Sequence, residues 1–487
     1  MKQLFFVSTM SQVITLAAGI DNGAYDTGWL PQVASLPIGQ PYSALEGMPV
    51  QQRVREDFPA VDERVLVVSN HSLAPETAAL LWELPEAQPA LSRFDRVVDL
   101  NATLSPIHPS TWSPNATELP VWDRLLRERW DLGDAELELI VESPQVNPAV
   151  AIGRVFHTAF QRVHADGLMS YAATRNQLHL TNGQRMTSLH YLPYVEGLEP
   201  VLLSEHGIVP VPLGWDAYRS VVLESLETVR AVLDAELGSL SGDSTALVVG
   251  QYLASLDILT DDEEDRLHVR MLEEAHRRGA SHVVFKPHPA APPAAVSALR
   301  EAAEKLGLGF TVFDRPVIAE AILAYLSPAC VIGCFSTTLA TARAAYGIPA
   351  VAVGTQKVLS ALTPFENSNR IPAVICDAIM DGSSGELSST EVARLQGLIE
   401  AIAYASRPRV VPHLRVNAES FLESAQHNTD LGYFRRRRLT KLNLPGALPK
   451  RKWSPSGKVE KRLPTPLRAP YRKLRKQVKS TVKTLKR

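Results

Sequence analysis

A chain of 487 residues is too long for one compact domain and predicts about three units. With 45% hydrophobic and 21% charged residues it reads as globular with a large core, which sets aside wholesale disorder, collagen and coiled coil, and no apolar run approaches the ~20 residues that span a bilayer. The net charge of −2 hides an asymmetry: residues 435–487 hold 20 Lys and Arg against the single acid Glu460, whereas the rest of the chain holds 30 basic and 51 acidic residues. An acidic folded body therefore carries a cationic tail suited to a polyanion or an anionic membrane surface.

The three cysteines, Cys330, Cys334 and Cys376, are too few for a disulfide framework and fit a reducing compartment. Near the start, Leu4-Phe5-Phe6-Val7 has the hydrophobicity of a signal segment. Ser8, Thr9, Ser11 and Gln12 interrupt it, short of the ~7–15 apolar residues that a signal core needs. A first strand over 3–7, a polar turn and a helix account for it, and a cytoplasmic protein is expected.

Further along, residues 64–68 read as a strand leading into Ser69-Asn70-His71-Ser72 and a helix near 75–83. Residues 137–141 form the next strand, followed by Glu142-Ser143-Pro144-Gln145 and a helix over 149–164. A long helix over 216–237 precedes a Gly- and Ser-rich stretch. Then 245–249, 282–285, 309–313, 330–332 and 350–353 read as buried strands, separated by helices over 262–278, 294–306 and 336–346. Such alternation predicts an α/β chain with parallel sheets. We divide it into two Rossmann-like domains, 1–242 and 243–410, facing a central cleft at the carboxyl ends of their strands. A closing helix and linker, 411–434, precede a basic tail, 435–487, expected to be disordered.

Three motifs carry candidate chemistry. In Lys286-Pro287-His288-Pro289 the two prolines forbid continuation of the strand and hold His288 at its carboxyl end. A fixed imidazole with Lys286 nearby suits binding an anion and assisting a leaving phosphate; the plain alternative is a turn with a surface histidine. In Gly333-Cys334-Phe335-Ser336-Thr337-Thr338 a glycine turn delivers hydroxyls to a helix start, where unpaired N–H groups and the dipole favour an anion. Ordinary N-capping explains the same residues, and it is the pairing with the histidine motif that favours a phosphate site. In His164-Ala165-Asp166-Gly167-Leu168-Met169-Ser170-Tyr171, Asp166 reads as a turn residue or, functionally, as a general base from the half opposite the phosphate site.

The Asp-Gly-x-x-Ser-Tyr segment, the Lys-Pro-His-Pro strand end and the Ser-Thr helix start, in this order and spacing, resemble the bacterial sialyltransferase and polysialyltransferase group. That group has the two-Rossmann GT-B glycosyltransferase fold, and its signatures are an acidic pair before Gly, a His-Pro dipeptide and a Ser-Ser or Ser-Thr pair. The resemblance covers roughly 3–409, is strongest in the second half and excludes the tail. Gly250-Gln251-Tyr252-Leu253 is similar to the loop that opens the donor domain in such proteins. The resemblance implies an inverting displacement from a CMP-activated sialic acid or related nonulosonate onto a cell-surface glycan, in capsule or envelope polysaccharide synthesis. Asp166 would take the acceptor proton and His288 would assist departure of CMP. Lys286, Ser336, Thr337 and Thr338 would hold the phosphate, and Gly250, Gln251 and Pro289 the nucleotide. Asn70, His71 and Ser170 are candidates for the acceptor side. One departure stands out: the first acidic position of the signature is Ala165. A rival match, Ser204-Glu205-His206-Gly207, keeps one acid but lacks the following Ser-Tyr.

No cofactor or metal is expected, because no Asp-x-Asp clamp is present and Asp261-Asp262-Glu263-Glu264-Asp265 suits a helix start. Cys330 and Cys334 have no His pair nearby and read as core residues. The clusters 435–438, 450–452 and 471–479 predict peripheral attachment to the inner face of the membrane, near a glycan or lipid-linked acceptor. Specific nucleic-acid binding is not expected, as no recognised module accompanies the charge. Two other readings remain: a CDP-alcohol polymerase of related fold, or a degenerate glycosyltransferase that binds nucleotide or glycan as a scaffold.

Overall fold

The computed structural model describes residues 1–30, 54–70, 80–165, 167–178, 180–288, 296–425 and 429–448. It divides into two units, Met1–Phe434 and Arg435–Arg487. The first holds both sheets. Its N-terminal sheet has seven parallel strands: β1 (Lys2–Val7), β2 (Glu63–Val68), β3 (Arg96–Asp99), β4 (Leu137–Val141), β5 (Phe160–His164), β6 (Met186–Tyr191) and β7 (Val209–Pro212). Their spatial order is β3-β2-β1-β4-β5-β6-β7. The second sheet contains β8 (Thr245–Val249), β9 (His282–Lys286), β10 (Gly309–Val312), β11 (Cys330–Gly333) and β12 (Ala350–Ala352), in the order β10-β9-β8-β11-β12. Both orders reverse direction beside their first strand, as in the Rossmann fold. Each sheet thus has its switch point at the carboxyl ends of β1 and β4, or of β8 and β11, the place where ligands bind in such folds.

The strands are apolar because they are covered on both faces. All five residues of β4 are buried, as are all five of β8. Local signals end and start the helices. The helix Met10–Asp21 opens on a capping box between Thr9 and Gln12, and Asp261–Arg277 opens on one between Thr260 and Glu263. Asp261, Asp262, Glu263 and Glu264 fill the first turn of the latter, where negative charge favours the helix dipole.

Two expectations need correction. The helix read over 149–164 is a short helix, Ala149–Val155, followed by β5. Residues 160–164 pair in parallel with β4 on one side and β6 on the other, and this ladder overrides the helical reading of a mixed sequence. The helix near 75–83 falls partly outside the described residues, and Leu81–Glu83 is a single 3-10 turn. β3, β6 and β7 had no sequence counterpart. β7 reads Val209-Pro210-Val211-Pro212, and it tolerates two prolines because it is the edge strand of its sheet.

The long helix Trp215–Leu237 packs against Met10–Asp21 of the first half and against Ala319–Leu326 of the second. Arg219 Nη1 donates to the Ala345 carbonyl at 2.7 Å, at the end of the helix Thr337–Tyr346, and Tyr325 Oη donates to Asp234 Oδ1 at 2.6 Å. A further tie is buried. Ile318 N–H, just ahead of the helix Ala319–Leu326, donates to Glu86 Oε1 at 3.1 Å, and Glu86 is 2% exposed. Desolvation pushes the Glu86 carboxyl up to about 7, opposed by the Ile318 hydrogen bond, aided by Glu320 and opposed by the Lys286 ammonium.

A carboxyl harder to ionise in the folded than in the unfolded chain keeps its proton longer in the native state. Its contribution is greatest below the unfolded value of 4.5 and is lost as pH rises toward about 7, a loss of up to about 3 kcal/mol. Glu86→Gln keeps an acceptor for Ile318 and removes the charge. It should melt with wild type at pH 5 and about 3 °C above it at pH 8; coincident melts at both pH values would show that Glu86 ionises freely.

Candidate active site

The chemistry-bearing segments leave the carboxyl ends of adjacent strands. Val249 of β8 is in register with Lys286 of β9, so Gly250 and Pro287 leave their strands side by side. Gly250 N–H donates to Lys286 O at 2.8 Å. A Cβ on Gly250 would lie 3.0 Å from Phe285 Cζ, 3.2 Å from Pro287 Cα and 3.3 Å from Lys286 O, a tight fit that favours glycine. Beyond it the loop is pinned to the helix Asp261–Arg277. Gln251 N–H donates to His268 Nε2 at 3.0 Å, and Leu253 and Ala254 N–H donate to the two Glu264 carboxylate oxygens at 2.8 and 2.9 Å. Burial pushes the His268 imidazole down to about 4, leaving it neutral and able to accept. Gln251 is itself buried, with its side-chain amide donating to Gly250 O at 3.2 Å.

His288 stands half-buried at the exit of β9, its ring stacked on Tyr252 with centroids 4.0 Å apart and planes at 25°. Desolvation pushes its imidazole down to about 4, so it is neutral near pH 7. Lys286 faces elsewhere. Its side chain is buried, Nζ donates to Arg315 O at 2.6 Å and lies 5.5 Å from the Phe313 ring centroid. Desolvation lowers its pKa, opposed by Glu86 and Asp314. In this arrangement the ammonium buttresses the loop after β10.

The three hydroxyls after β11 point in three directions. Ser336 is the N-cap of Thr337–Tyr346, its Oγ accepting from Thr338 N–H at 3.2 Å. Thr338 turns inward and its Oγ1 donates to Glu320 Oε1 at 3.4 Å, a carboxyl whose pKa burial raises. Thr337 Oγ1 accepts from Leu168 N–H at 3.5 Å, across from the other half. Thus the turn that leaves β5 meets the start of this helix. Gly167 has φ +57°, and a Cβ there would stand 2.3 Å from Thr337 Oγ1 and 2.8 Å from its Cγ2. Ser170, fully buried, holds this turn by donating from Oγ to Gly167 O at 3.0 Å. Asn70, at the exit of β2, is tied through its backbone N–H and C=O to the Asn101 side chain at 2.8 and 3.0 Å. Asp166, His71 and Pro289 lie outside the described residues.

Ala165, the non-acidic position of the signature, extends the β5–β6 pairing through its N–H to His190 O at 2.8 Å and belongs to the apolar core of the first half. Glu205, of the rival match, lies beside His206 at 3.6 Å, and burial pushes its carboxyl up to about 7. Sequence reasoning missed Glu86 and Glu320, whose signal is weak because isolated acids in helical stretches look solvated. It also missed Glu142, which follows β4 at the switch point and accepts from Ser8 Oγ at 3.3 Å, its pKa raised by burial. An acid immediately after a strand was the available clue.

A family model described as alpha-2,8-polysialyltransferase (POLYST) matches residues 55–355. The chain belongs to the alpha-2,8-polysialyltransferase family. It is a glycosyltransferase, and its two Rossmann-like sheets are those of the GT-B architecture. No curated relative matches the sequence. Among solved structures it is similar to a UDP-GlcNAc 2-epimerase from Methanocaldococcus jannaschii, at 11% identity and a TM-score of 0.40, covering 78% of this chain and 92% of that one. The GT-B domain of a Photobacterium damselae sialyltransferase gives 10% identity and a TM-score of 0.38, covering 77% and 96%. A 2,6-sialyltransferase of Photobacterium sp. JT-ISH-224, solved with CMP and lactose, gives 12% and 0.37, covering 77% and 75%.

The Gly167–Thr337 approach supplies a direct test. Gly167→Ala adds left-handed strain of about 1 kcal/mol and a steric overlap with Thr337, and should lower both the melting temperature and turnover. Adding Thr337→Ala removes Oγ1 and Cγ2, and should recover at least about 1 kcal/mol in a double-mutant cycle of thermal melts. Additive losses would show that the two positions do not touch.

Proposed function

We propose that this family member is an inverting sialyltransferase. It transfers sialic acid or a related nonulosonate from a CMP-activated donor to a cell-surface glycan, without a metal. The observation that carries this reading is the meeting of the Gly167–Leu168 turn with the Ser336–Thr337 helix start, on the carboxyl side of sheets that also deliver His288. Asp166, adjacent to Gly167 in sequence, is assigned the general base. It accepts the acceptor hydroxyl proton as that oxygen bonds to the anomeric carbon. The bond to the phosphate oxygen breaks, and the electron pair leaves with CMP. His288, neutral before the donor binds, hydrogen-bonds the phosphate, and Ser336 and Thr337 add donors beside it. A monophosphate leaving group develops less charge than a diphosphate, so hydrogen bonds and a helix start suffice in this reading. The apolar setting of Ala165 supports Asp166 over its neighbour, since a carboxylate at position 165 would enter the core.

A donor panel tests the reading. CMP-sialic acid should be turned over, with CDP-glycerol and UDP-sugars inert and EDTA without effect; turnover of CDP-glycerol instead would make the protein a CDP-alcohol polymerase. Asp166→Ala should lower turnover at least about a hundredfold with CMP binding retained, whereas His288→Ala should lower both. Wild-type turnover in Asp166→Ala would remove the base assignment.

The second unit is assigned to membrane attachment on the cytoplasmic face. Its described part includes the helix Arg436–Leu442, and its sequence carries 20 Lys and Arg. No helix among the described residues is long and apolar enough to cross a membrane. At about 1 kcal/mol for each basic residue near an anionic leaflet, a few contacts would hold the enzyme there. Deleting residues 435–487 should abolish sedimentation with phosphatidylglycerol vesicles at moderate salt; unchanged binding would refute the assignment.

A further inference from the structure

We propose that Tyr252 is a positioning residue for the transfer: its phenol ring, stacked on the His288 imidazole, sets the plane of that ring and hence the direction of its N–H toward the leaving phosphate. The inference rests on the reading of His288 as the group that contacts that phosphate. Its own basis is the geometry of two neighbouring strand exits. Tyr252 comes three residues after Val249 and His288 two residues after Lys286, and these two strand ends are in register. A centroid separation of 4.0 Å at 25° is close parallel stacking, which restrains the imidazole from tilting.

Tyr252 can act this way because its own backbone is held on both sides. Gln251 N–H is fixed to His268, Leu253 and Ala254 N–H to Glu264, and Gly250 N–H to the strand that bears His288. A ring on a loop pinned by four backbone hydrogen bonds is a rigid wall. Pro287 restrains the imidazole from the backbone side, and Tyr252 restrains it from the face.

The phenol also shields one face of the imidazole from water, consistent with burial as the cause of its lowered pKa. Among the described residues, the Tyr252 phenol lies across the stack, and the Lys286 ammonium, on the same strand, is turned to Arg315 O. His268 and Glu264 hold the loop backbone on the helix Asp261–Arg277. A neutral imidazole presents one N–H and takes up positive charge only when an anion arrives, so its orientation matters more than its initial charge.

The test compares Tyr252→Phe, which keeps the ring, with Tyr252→Ala in the full-length protein. Turnover of CMP-sialic acid and the NMR titration of the His288 imidazole, assigned with His288→Gln, are both read. Tyr252→Phe should stay within about twofold of wild type. Tyr252→Ala should lose kcat by about tenfold with donor KM little changed, and its His288 midpoint should rise by about one to two pH units. Wild-type kcat and an unmoved midpoint in Tyr252→Ala, with His288→Ala inactive, would overturn the positioning role while leaving the role of His288 standing. Full turnover in His288→Ala would instead strike the reading on which the inference rests, and it needs no change at Tyr252 to be seen. A thermal melt of Tyr252→Ala coincident with wild type secures the comparison; a lowered melt together with equal losses in Tyr252→Phe would overturn the proposal in favour of a structural role.

Discussion

A glycine in the left-handed region, where a Cβ would lie only 2.3 Å from Thr337 Oγ1, is the tightest constraint at the site. It decides how closely the exit of β5 approaches the helix Thr337–Tyr346, and therefore how the chemistry of one sheet is aligned with that of the other. Everything else at this point is arranged around the approach. Ser170 closes the turn from below, Leu168 N–H reaches the Thr337 hydroxyl, and Ser336 caps the helix at its first turn. Two Rossmann-like sheets need such a contact, because each sheet alone fixes only its own loops.

Beneath that contact lies a layer of ionisable groups that have lost their water. Glu86 reaches across to Ile318, Glu320 sits under Thr338, and Lys286 is spent on the Arg315 carbonyl. Burial shifts each toward its uncharged form: it raises the two carboxyl pKa values and lowers that of the ammonium. Buried polar groups cost less when hydrogen-bonded, as Glu86 is to Ile318 N–H, Glu320 to the Thr338 hydroxyl and Lys286 to Arg315 O. His288 fits the same pattern, being neutral until a negative ligand makes the charged form worth its desolvation. In the proposed mechanism the donor's phosphate is thus the dominant charge in its own site, and the hydrogen bonds directed at it act in a medium of low dielectric.

Strands bordered by clear turns were legible in the sequence. The runs at 137–141 and 245–249 match β4 and β8, because continuous apolar residues ending at a polar turn have few other solutions. β5 was not legible: Phe160-Gln161-Arg162-Val163-His164 mixes polar with apolar residues, and its polar members are buried only because partners meet them. Arg162 Nε donates to Glu138 at 2.8 Å, and His164 Nε2 lies 2.9 Å from Phe6 O. Those partners come from β4 and β1, over 20 and over 150 residues away, which no local pattern reveals. The site divides the same way. Chain order put the histidine and hydroxyl motifs at strand exits, but not the directions of their side chains. Lys286 turns to the loop after β10, and Thr338 turns to a buried acid.

Ala165 is the residue at which motif and geometry pull apart: the motif asks for an acid, and the geometry places the position in the core. Read as a string, an alanine in place of an acid looks like loss of function. Read in the sheet, residue 165 continues the ladder of β5 onto His190 and faces Val163's side of the core, where a carboxylate would have to be desolvated without a partner. Glycine follows two residues later, in the left-handed region and too close to Thr337 to carry a Cβ. Between a core position and that turn there is one residue, Asp166, and it is the acid that the chain retains. In the proposed mechanism an alanine at 165 leaves the turn and its acid, the assigned base, in place, so the alanine is better understood as part of the core than as a missing catalytic group.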